Sequence, residues 1–467
     1  MIAAALLLWP AAMNGYPLVF SDTGTYLSQA IQHYLGWDRP AFYSIFMLPL
    51  HMTVTTWPVV VVQALLAAHM MHLVRRVLRP DLPAVWLLPL AAIIAVATAL
   101  PMFASELMPD LFTSLMVLAI AMLVLCANRL SHAERVWLIG FSAFCMAAHL
   151  SNLPLGLGLL LLLIPFRRRL GAASRIGRAW LGGLAAAPAL AAMALVGMNA
   201  AGHGVPSLAP FGNVFLLARV LYDGPGMDVL ARDCPHPGWR LCSWRGQFPS
   251  NADGFLWQPD SPLYRAGGPK KVSIEADAII TAALREEPER ELATMIGDGM
   301  RQLTLFRTGD GLQPWPATVT PWIDRDFPLF ESTAYHHARQ TEGRPILPWW
   351  MPEFHAAAAV AGLAACFVML PRALHRRDRM AGFIVAMMIA LVANAFITGG
   401  LSGPHARYQS RLMWLPSLLA LLAVPIPVRL LAVDRSVPNV IASEAKQSIA
   451  PGGDELPRPA FHLRPSQ

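Results

Sequence analysis

Residues 381–399 read AGFIVAMMIALVANAFITG, a stretch without a single charged side chain. A helix needs about 20 apolar residues to cross the hydrocarbon core of a bilayer, so this stretch predicts a membrane-spanning helix. Together with this stretch, ten apolar runs with at most one charged residue each fall near residues 1–13, 55–74, 83–101, 111–127, 136–149, 153–166, 179–198, 353–371, 381–399 and 412–431. The sequence therefore predicts an all-α polytopic membrane protein with about ten transmembrane helices.

The composition favours the same class of protein. Of the 467 residues, 55% are apolar and 14% are charged, whereas a soluble domain carries about 25% charged residues. This balance argues against soluble enzymes and nucleic-acid-binding proteins, because so few charges cannot cover a water-facing surface. We therefore expect membrane lipids as partners and no nucleic acid, and we interpret the net charge of +7 by its position along the chain.

Two of the apolar runs need interpretation. The run at residues 1–13 is short and lacks a basic region and a small-residue cleavage site, so we interpret it as a retained span rather than a cleaved signal. Residues 137–166 are long for one span and short for two. Arg135 precedes them and Arg167 follows, and a hairpin near Ser151 returns both basic ends to one side. Two spans are therefore predicted here.

Basic residues predict the orientation. Arginines of the short loops fall mostly on one side, which the positive-inside rule assigns to the cytoplasm. The other side receives residues 14–40, 102–110, 199–352 and 400–411, with Arg39, Arg407 and Arg411 in its short loops. We expect a multi-pass protein of the inner (plasma) membrane, with the large loop periplasmic or external and the C-terminus cytoplasmic.

Four segments follow from this pattern. Residues 1–198 are the expected N-terminal membrane core of about seven spans, and residues 353–431 a C-terminal membrane segment of three spans. Between spans seven and eight, residues 199–352 are rich in Gly, Pro, Trp and charge and predict an external domain of mixed secondary structure. Within it, residues 275–306 predict a solvated amphipathic helix. The polar residues 432–467 predict a disordered cytoplasmic tail.

Cys234 and Cys242 lie in the predicted external domain. An oxidising compartment favours a disulfide between them, and two free thiols are the alternative. Cys126, Cys145 and Cys366 lie in apolar runs and are interpreted as small core residues.

Acidic residues at the membrane boundary are costly, so they are candidates for function. Asp22 lies at the outer end of the first run, where Ser21 or Asp22 could cap the helix that follows, a role compatible with catalysis. Glu106 and Asp110 lie at the outer mouth between the third and fourth runs, where a helix N-terminus favours them electrostatically. The three carboxylates could also form an oxygen-ligand site for Mg or Mn, and whether a metal is needed stays open.

Two further elements lie on the same predicted face. Residues 37–50 predict an interfacial helix with Trp37, Phe42 and Tyr43 at headgroup depth. Arg407 and Arg411 lie four residues apart, so in a helix they project from one face. The pair could bind a phosphate through bidentate contacts or simply anchor the chain to lipid headgroups.

These elements together resemble the GT-C superfamily of membrane glycosyltransferases, which includes the protein mannosyltransferases and the aminoarabinose transferase of lipid A. The resemblance rests on Asp22 in the first external loop, an Arg-Pro-x-x-Tyr-Ser element from Arg39, a Met-Pro-Asp element ending at Asp110, and an Arg-Tyr-x-x-Arg element from Arg407. An external domain after the seventh span completes it. The architecture covers residues 1–430, and the motifs are short.

The resemblance implies a polyprenyl-phosphate-linked sugar as donor and Asp22 as the carboxylate that activates the acceptor. Several relatives carry an Asp-Glu pair where this chain has Asp22-Thr23, so a second acid either comes from Glu106 or Asp110 or is absent. The candidate catalytic residues are therefore Asp22, Glu106 and Asp110. The candidate substrate-binding residues are Tyr26, Arg39, Tyr43, Arg407, Tyr408 and Arg411.

A transporter or lipid flippase is the rival interpretation. Such a protein favours ionisable residues near span centres and helices broken in paired halves. Here the apolar runs are almost free of charge and the polar groups gather at their outer ends. The sequence therefore favours an inverting glycosyltransferase over a transporter.

Overall fold

A computed structural model describes residues 1–172, 178–236 and 238–425. The predicted cytoplasmic tail, residues 432–467, lies outside the described residues. Residues 1–424 form one unit. No β-strand occurs in the described ranges, where a single isolated bridge joins Leu18 to Glu106. The prediction of an all-helical protein is confirmed.

The helices follow one another with short connections. The first eleven are α1 Ile2–Leu6, α2 Trp9–Asn14, α3 Thr23–Gln32, α4 Phe42–His51, α5 Trp57–Leu78, α6 Leu87–Ala97, α7 Leu100–Ser105, α8 Asp110–Leu125, α9 His132–Ala148, α10 Asn152–Phe166 and α11 Arg178–His203. The next eight are α12 Gly212–Tyr222, α13 Gly226–Asp233, α14 Ala252–Trp257, α15 Pro262–Arg265, α16 Pro269–Glu286, α17 Pro288–Thr304, α18 Pro316–Asp326 and α19 Leu329–His336. The last four are α20 Met351–His375, α21 Arg379–Thr398, α22 Ala406–Ser410 and α23 Trp414–Ala423.

Four of the described helices are long and apolar enough to cross a membrane: residues 57–78, 180–203, 351–375 and 379–398. Several other predicted spans form shorter apolar helices, and residues 1–13 form two short helices rather than one. The predicted hairpin at residues 137–166 forms α9 and α10, which pack together. The membrane character is thus supported, whereas the count of ten spans stays a prediction.

The prediction of mixed secondary structure for residues 199–352 is wrong, because the described part of this segment is helical and contains no strand. Its external position stays a prediction. Four of its prolines lie in the first turn of a helix: Pro262, Pro269, Pro288 and Pro316. A proline is tolerated there because its missing N–H would have no partner in the helix. The predicted helix over residues 275–306 is divided into α16 and α17 at Pro288 for the same reason.

Two large hydrophobic clusters stabilise the fold, and a small third one joins Leu18, Met102 and Ile346. The larger one joins the apolar helices with α18 and α19. All the buried residues of the second lie between Phe211 and Ala283, so this part of the chain has a core of its own. A disulfide joins Cys234 to Cys242 at its edge, and Cys126, Cys145 and Cys366 are buried free thiols.

Candidate functional site

Backbone hydrogen bonds hold the first two predicted external loops side by side. The Leu18 amide donates to the Ser105 carbonyl over 2.8 Å, and the Leu107 amide donates to the Leu18 carbonyl over 2.9 Å. The Thr23 hydroxyl then donates to the Leu107 carbonyl over 3.2 Å. These contacts place Asp22 and Glu106, which are far apart in the sequence, in one region.

The segment before α22 is fixed by polar side chains of the predicted external domain. Nε2 of Gln302 donates to the His405 carbonyl, and Oε1 of Gln302 accepts from the His405 amide, both over 2.8 Å. The carboxylate of Asp310 accepts from the Arg407 amide over 2.9 Å. No local sequence pattern marks Gln302 or Asp310 as part of a functional site.

Asp22 is bound by two arginines. Its Oδ2 atom accepts from Nε and Nη2 of Arg39 over 2.9 and 2.7 Å, and from Nη2 of Arg407 over 3.3 Å. Asp22 occupies the N-cap position of α3, but its side chain makes no capping hydrogen bond. The capping alternative is therefore wrong, because the carboxylate points to the guanidinium groups instead.

The charge of Asp22 follows from these contacts. Burial raises the pKa of this carboxyl, but the positive charges of Arg39 and Arg407 outweigh burial, so the pKa lies below its usual value. Asp22 is therefore ionised at neutral pH. It cannot act as a base while both guanidinium groups remain bound to it, because its negative charge is already compensated.

Arg407 lies at the centre of the site. Its guanidinium carbon is 3.9 Å from the ring centroid of Phe20, a cation–π contact. The guanidinium is buried, and its Nη1 atom has no hydrogen-bond partner among the described residues. A buried donor without a partner costs free energy, so this atom is available to an incoming anion.

Arg39 connects Asp22 to aromatic residues of the predicted external domain. Its guanidinium carbon lies 5.4 Å from the Trp257 ring and 5.9 Å from the Phe215 ring. Trp37 stacks on Phe215, with ring centroids 5.3 Å apart. Arg39 is thereby held in place from two sides, by the carboxylate and by the rings.

Arg411 binds a different carboxylate from Arg407. Its Nη1 atom donates to Asp110 over 3.0 Å, and its Nη2 atom donates to Asn394 over 2.8 Å and to Ser151 over 3.1 Å. Both Arg411 and Asp110 are almost fully buried. Nε of Arg411 and Oδ2 of Asp110 have no hydrogen-bond partner among the described residues. Both Nη atoms of Arg411 are used, so this network resembles a structural pair more than a binding surface.

Glu106 differs from both aspartates. The residue is 7% exposed, and its carboxyl group forms no hydrogen bond or ion pair with the part of the chain that the structure describes. Burial above all, and then the negative charge of Asp110, raises its pKa to about 8. Glu106 is thus mostly protonated at neutral pH, beside an aspartate that is ionised.

The candidate tyrosines line the base of the site. Tyr26 and Tyr43 are fully buried, with ring centroids 4.9 Å apart, and the Tyr43 hydroxyl donates to Gln63 over 2.6 Å. The ring of Tyr43 packs in the core against Tyr26 and Phe112, and its expected position at headgroup depth stays a prediction. Tyr408 lies beside the guanidinium groups of Arg407 and Arg411.

The carboxylates do not gather as a metal site. Among the described residues, no group of three or more His, Cys, Asp or Glu side chains could hold a metal ion. Arginine, not a neighbouring carboxylate, is the partner of Asp22 and of Asp110. The arrangement therefore fits an anionic ligand better than Mg or Mn.

Comparisons with known proteins identify no relative: no family model matches the chain, and no curated protein or solved structure is significantly similar to it.

Proposed function

We propose that this protein is a membrane glycosyltransferase of the GT-C type, which moves a sugar from a polyprenyl-phosphate donor to an envelope lipid, glycan or protein. One observation carries the proposal above the others. A buried aspartate is bound by two arginines at the end of apolar helices, and Arg407 keeps one donor without a partner. A lipid-linked phosphate has the charge and geometry that such a pair recognises.

Sugar transfer from a phosphate needs two kinds of group. The C1–O bond to the phosphate breaks while a bond forms between C1 and the acceptor oxygen, and the acceptor proton must go to a base. The leaving phosphate gains negative charge, which cations in a buried site stabilise. A direct displacement inverts the configuration at C1 and needs no enzyme nucleophile, as in inverting glycosidases.

The residues of the site divide between these roles. Arg407 and Arg39 bind the donor phosphate, and Asp22 takes the proton of the acceptor hydroxyl. Because both arginines bind Asp22 in the absence of donor, the phosphate competes with Asp22 for them. Donor binding therefore frees the Asp22 carboxylate to act as the base. The base becomes available only when the leaving group is in place.

The other carboxyls support the site differently. The buried contact between Asp110 and Arg411 holds the end of α22 against the start of α8. Glu106 is the second acid of the proposal, since it is uncharged and without a partner in the described chain at neutral pH. It can donate a hydrogen bond to a phosphate oxygen or a sugar hydroxyl.

The test is transfer by the purified protein in liposomes that contain a panel of polyprenyl-phosphate sugars and an envelope extract as acceptor. Release of free polyprenyl phosphate, together with a mass increase of an acceptor by one sugar unit, is expected for the wild type. An Asp22→Asn preparation, matched for the amount of folded and inserted protein, is the control for contaminating activity. If every donor stays intact, or if it is only moved across the bilayer, the proposal is wrong and the transporter interpretation gains.

A further inference from the structure

Helix α17 exposes its apolar side. Leu292, Ile296 and Met300 are 57%, 47% and 54% exposed, and their spacing of four residues places them on one face of the helix. The small residues Ala293 and Gly297 widen this exposed face, which holds no charged group from Leu292 to Met300, about two and a half turns. The exposed side chains of Glu289 and Arg301 lie one turn before Ala293 and one turn after Gly297 and bound the apolar face at its two ends.

The opposite face of α17 is polar and buried. Glu291 is buried in an ion pair with Arg219, and Gln302 is buried in its two hydrogen bonds to His405. An amphipathic helix in water turns its apolar face to the protein and its polar face to solvent. The order in α17 is reversed, so its exposed face suits an apolar medium.

The position of α17 supplies such a medium. Two glycines let α17 and α21 approach closely, because neither position has room for a side chain. A Cβ atom added to Gly299 would lie only 2.6 Å from the ring of Phe396, and one added to Gly399 would lie 2.7 Å from the Asp298 carbonyl oxygen. The helix therefore packs directly on the last turn of α21. Because α21 has 20 residues and rises about 30 Å, close to the thickness of the hydrocarbon core, its last turn lies at one membrane boundary.

Tryptophans mark the same boundary independently. Trp349 is 86% exposed and Trp350 44% exposed, directly before α20. Since α20 and α21 are consecutive, packed helices, the start of α20 and the end of α21 lie at one end of the pair. Exposed tryptophans at the end of a spanning helix are typical of the membrane–water interface.

We propose that α17 lies in the plane of the bilayer surface, with Leu292, Ile296 and Met300 in contact with lipid acyl chains. Burial of such an apolar face at the boundary between headgroups and acyl chains is how interfacial helices bind membranes. This proposal is independent of the proposed function. If both hold, Gln302 connects the lipid-bound helix to the segment that carries Arg407, which places that arginine at the depth of a lipid phosphate.

The experiment measures lipid contact directly. An Ile296→Cys variant is labelled with the environment-sensitive fluorophore NBD, since the native free thiols are buried and two cysteines are paired. The labelled protein is reconstituted into phosphatidylcholine vesicles with and without a lipid that carries a nitroxide high on its acyl chain. Ile274→Cys is the matched control, because Ile274 is 81% exposed but lies on α16 near Lys271 and Asp277.

The expected result is a blue-shifted emission and strong nitroxide quenching at position 296, with neither change at position 274. Quenching at 296 no greater than at 274 would overturn the proposal. A second copy of the chain is the other occupant to exclude, by raising the ratio of lipid to protein. If the blue shift disappears on dilution, the face binds another copy and not the lipid, and the proposal is equally wrong.

Discussion

Nη2 of Arg407 donates to Oδ2 of Asp22 over 3.3 Å, although the two residues are 385 positions apart in the chain. The first external segment and the segment before the last described helix therefore share one buried charge pair. Such a pair is costly to bury and severely destabilising to break. Its presence at the end of apolar helices makes it the first place to test for function.

The first prediction concerns Asp22. Asp22→Asn keeps the shape of the side chain but cannot accept a proton at neutral pH, so transfer should fall by about 10²–10⁴-fold, the usual contribution of a general base. Turnover is measured at matched amounts of inserted protein. Asp81→Asn is the matched control, because Asp81 also binds an arginine, Arg79, but is exposed. Near-normal turnover of Asp22→Asn would leave Asp22 with a structural role only.

The second prediction separates two arginines that the sequence treats alike. Arg407→Lys should keep the fold but weaken donor binding, because a lysine loses the planar fork that binds phosphate. Arg411→Lys should instead destabilise the protein by about 1–3 kcal/mol, the usual cost of leaving a buried polar group without its hydrogen-bond partner, since a single ammonium keeps the charge but cannot reach Asp110, Asn394 and Ser151 together.

Donor affinity and melting temperature are measured for both lysine variants in one lipid composition. Arg307→Lys is the control, since Arg307 is exposed and pairs with Glu353. A stable Arg411→Lys protein with weak donor binding, or an Arg407→Lys protein with wild-type donor affinity, would reverse the roles assigned here.

The sequence predicted much of this site because its chemistry is unusual for its surroundings. Charged residues next to apolar runs are few, so Asp22, Arg39 and Arg407 stood out, and the structure brings them together. The sequence could not predict which arginine binds which aspartate. The assignment of Arg407 to Asp22 and of Arg411 to Asp110 depends on packing between distant segments, which no local spacing encodes.

The predicted external domain was harder for a different reason. Proline and glycine content suggested mixed and loop-like structure, yet prolines such as Pro269 and Pro288 start helices. The sequence also could not predict that α17 turns its apolar face outward. Its periodicity is that of any amphipathic helix, and only the buried contacts of Glu291 and Gln302 reveal that the polar side faces inward.

The third prediction is a thiol count. Denatured without reductant, the protein should react with maleimide at Cys126, Cys145 and Cys366, and after reduction Cys234 and Cys242 should react as well. The mass of the alkylated protein measures the number of modified thiols. Reaction of all the cysteines without reductant would remove the disulfide and, with it, the argument for an oxidising compartment.

The fourth prediction is topological. Reporters fused near Arg168 and Arg376 should behave as cytoplasmic, and reporters near Cys242 and Pro404 as external, because arginine-rich short loops stay in the cytoplasm. A cytoplasmic signal near Cys242 would invert the orientation and place the Asp22 site on the wrong side for an external acceptor.

The last prediction uses the carboxyl group of Glu106. In the folded protein its pKa is raised to about 8, above the ordinary value of 4.5, so the folded state holds a proton that the unfolded state has lost. The resulting contribution to stability is fully present below pH 4.5 and is lost as the pH rises towards 8.

Glu106→Gln has no such proton to lose. The melting temperature of the wild type should therefore fall more steeply between these pH values than that of the Gln variant, and the difference between the two curves isolates Glu106 from all other titrating groups. Parallel curves would mean that the carboxyl is ionised at neutral pH, which would leave it unfit as the neutral second acid of the site.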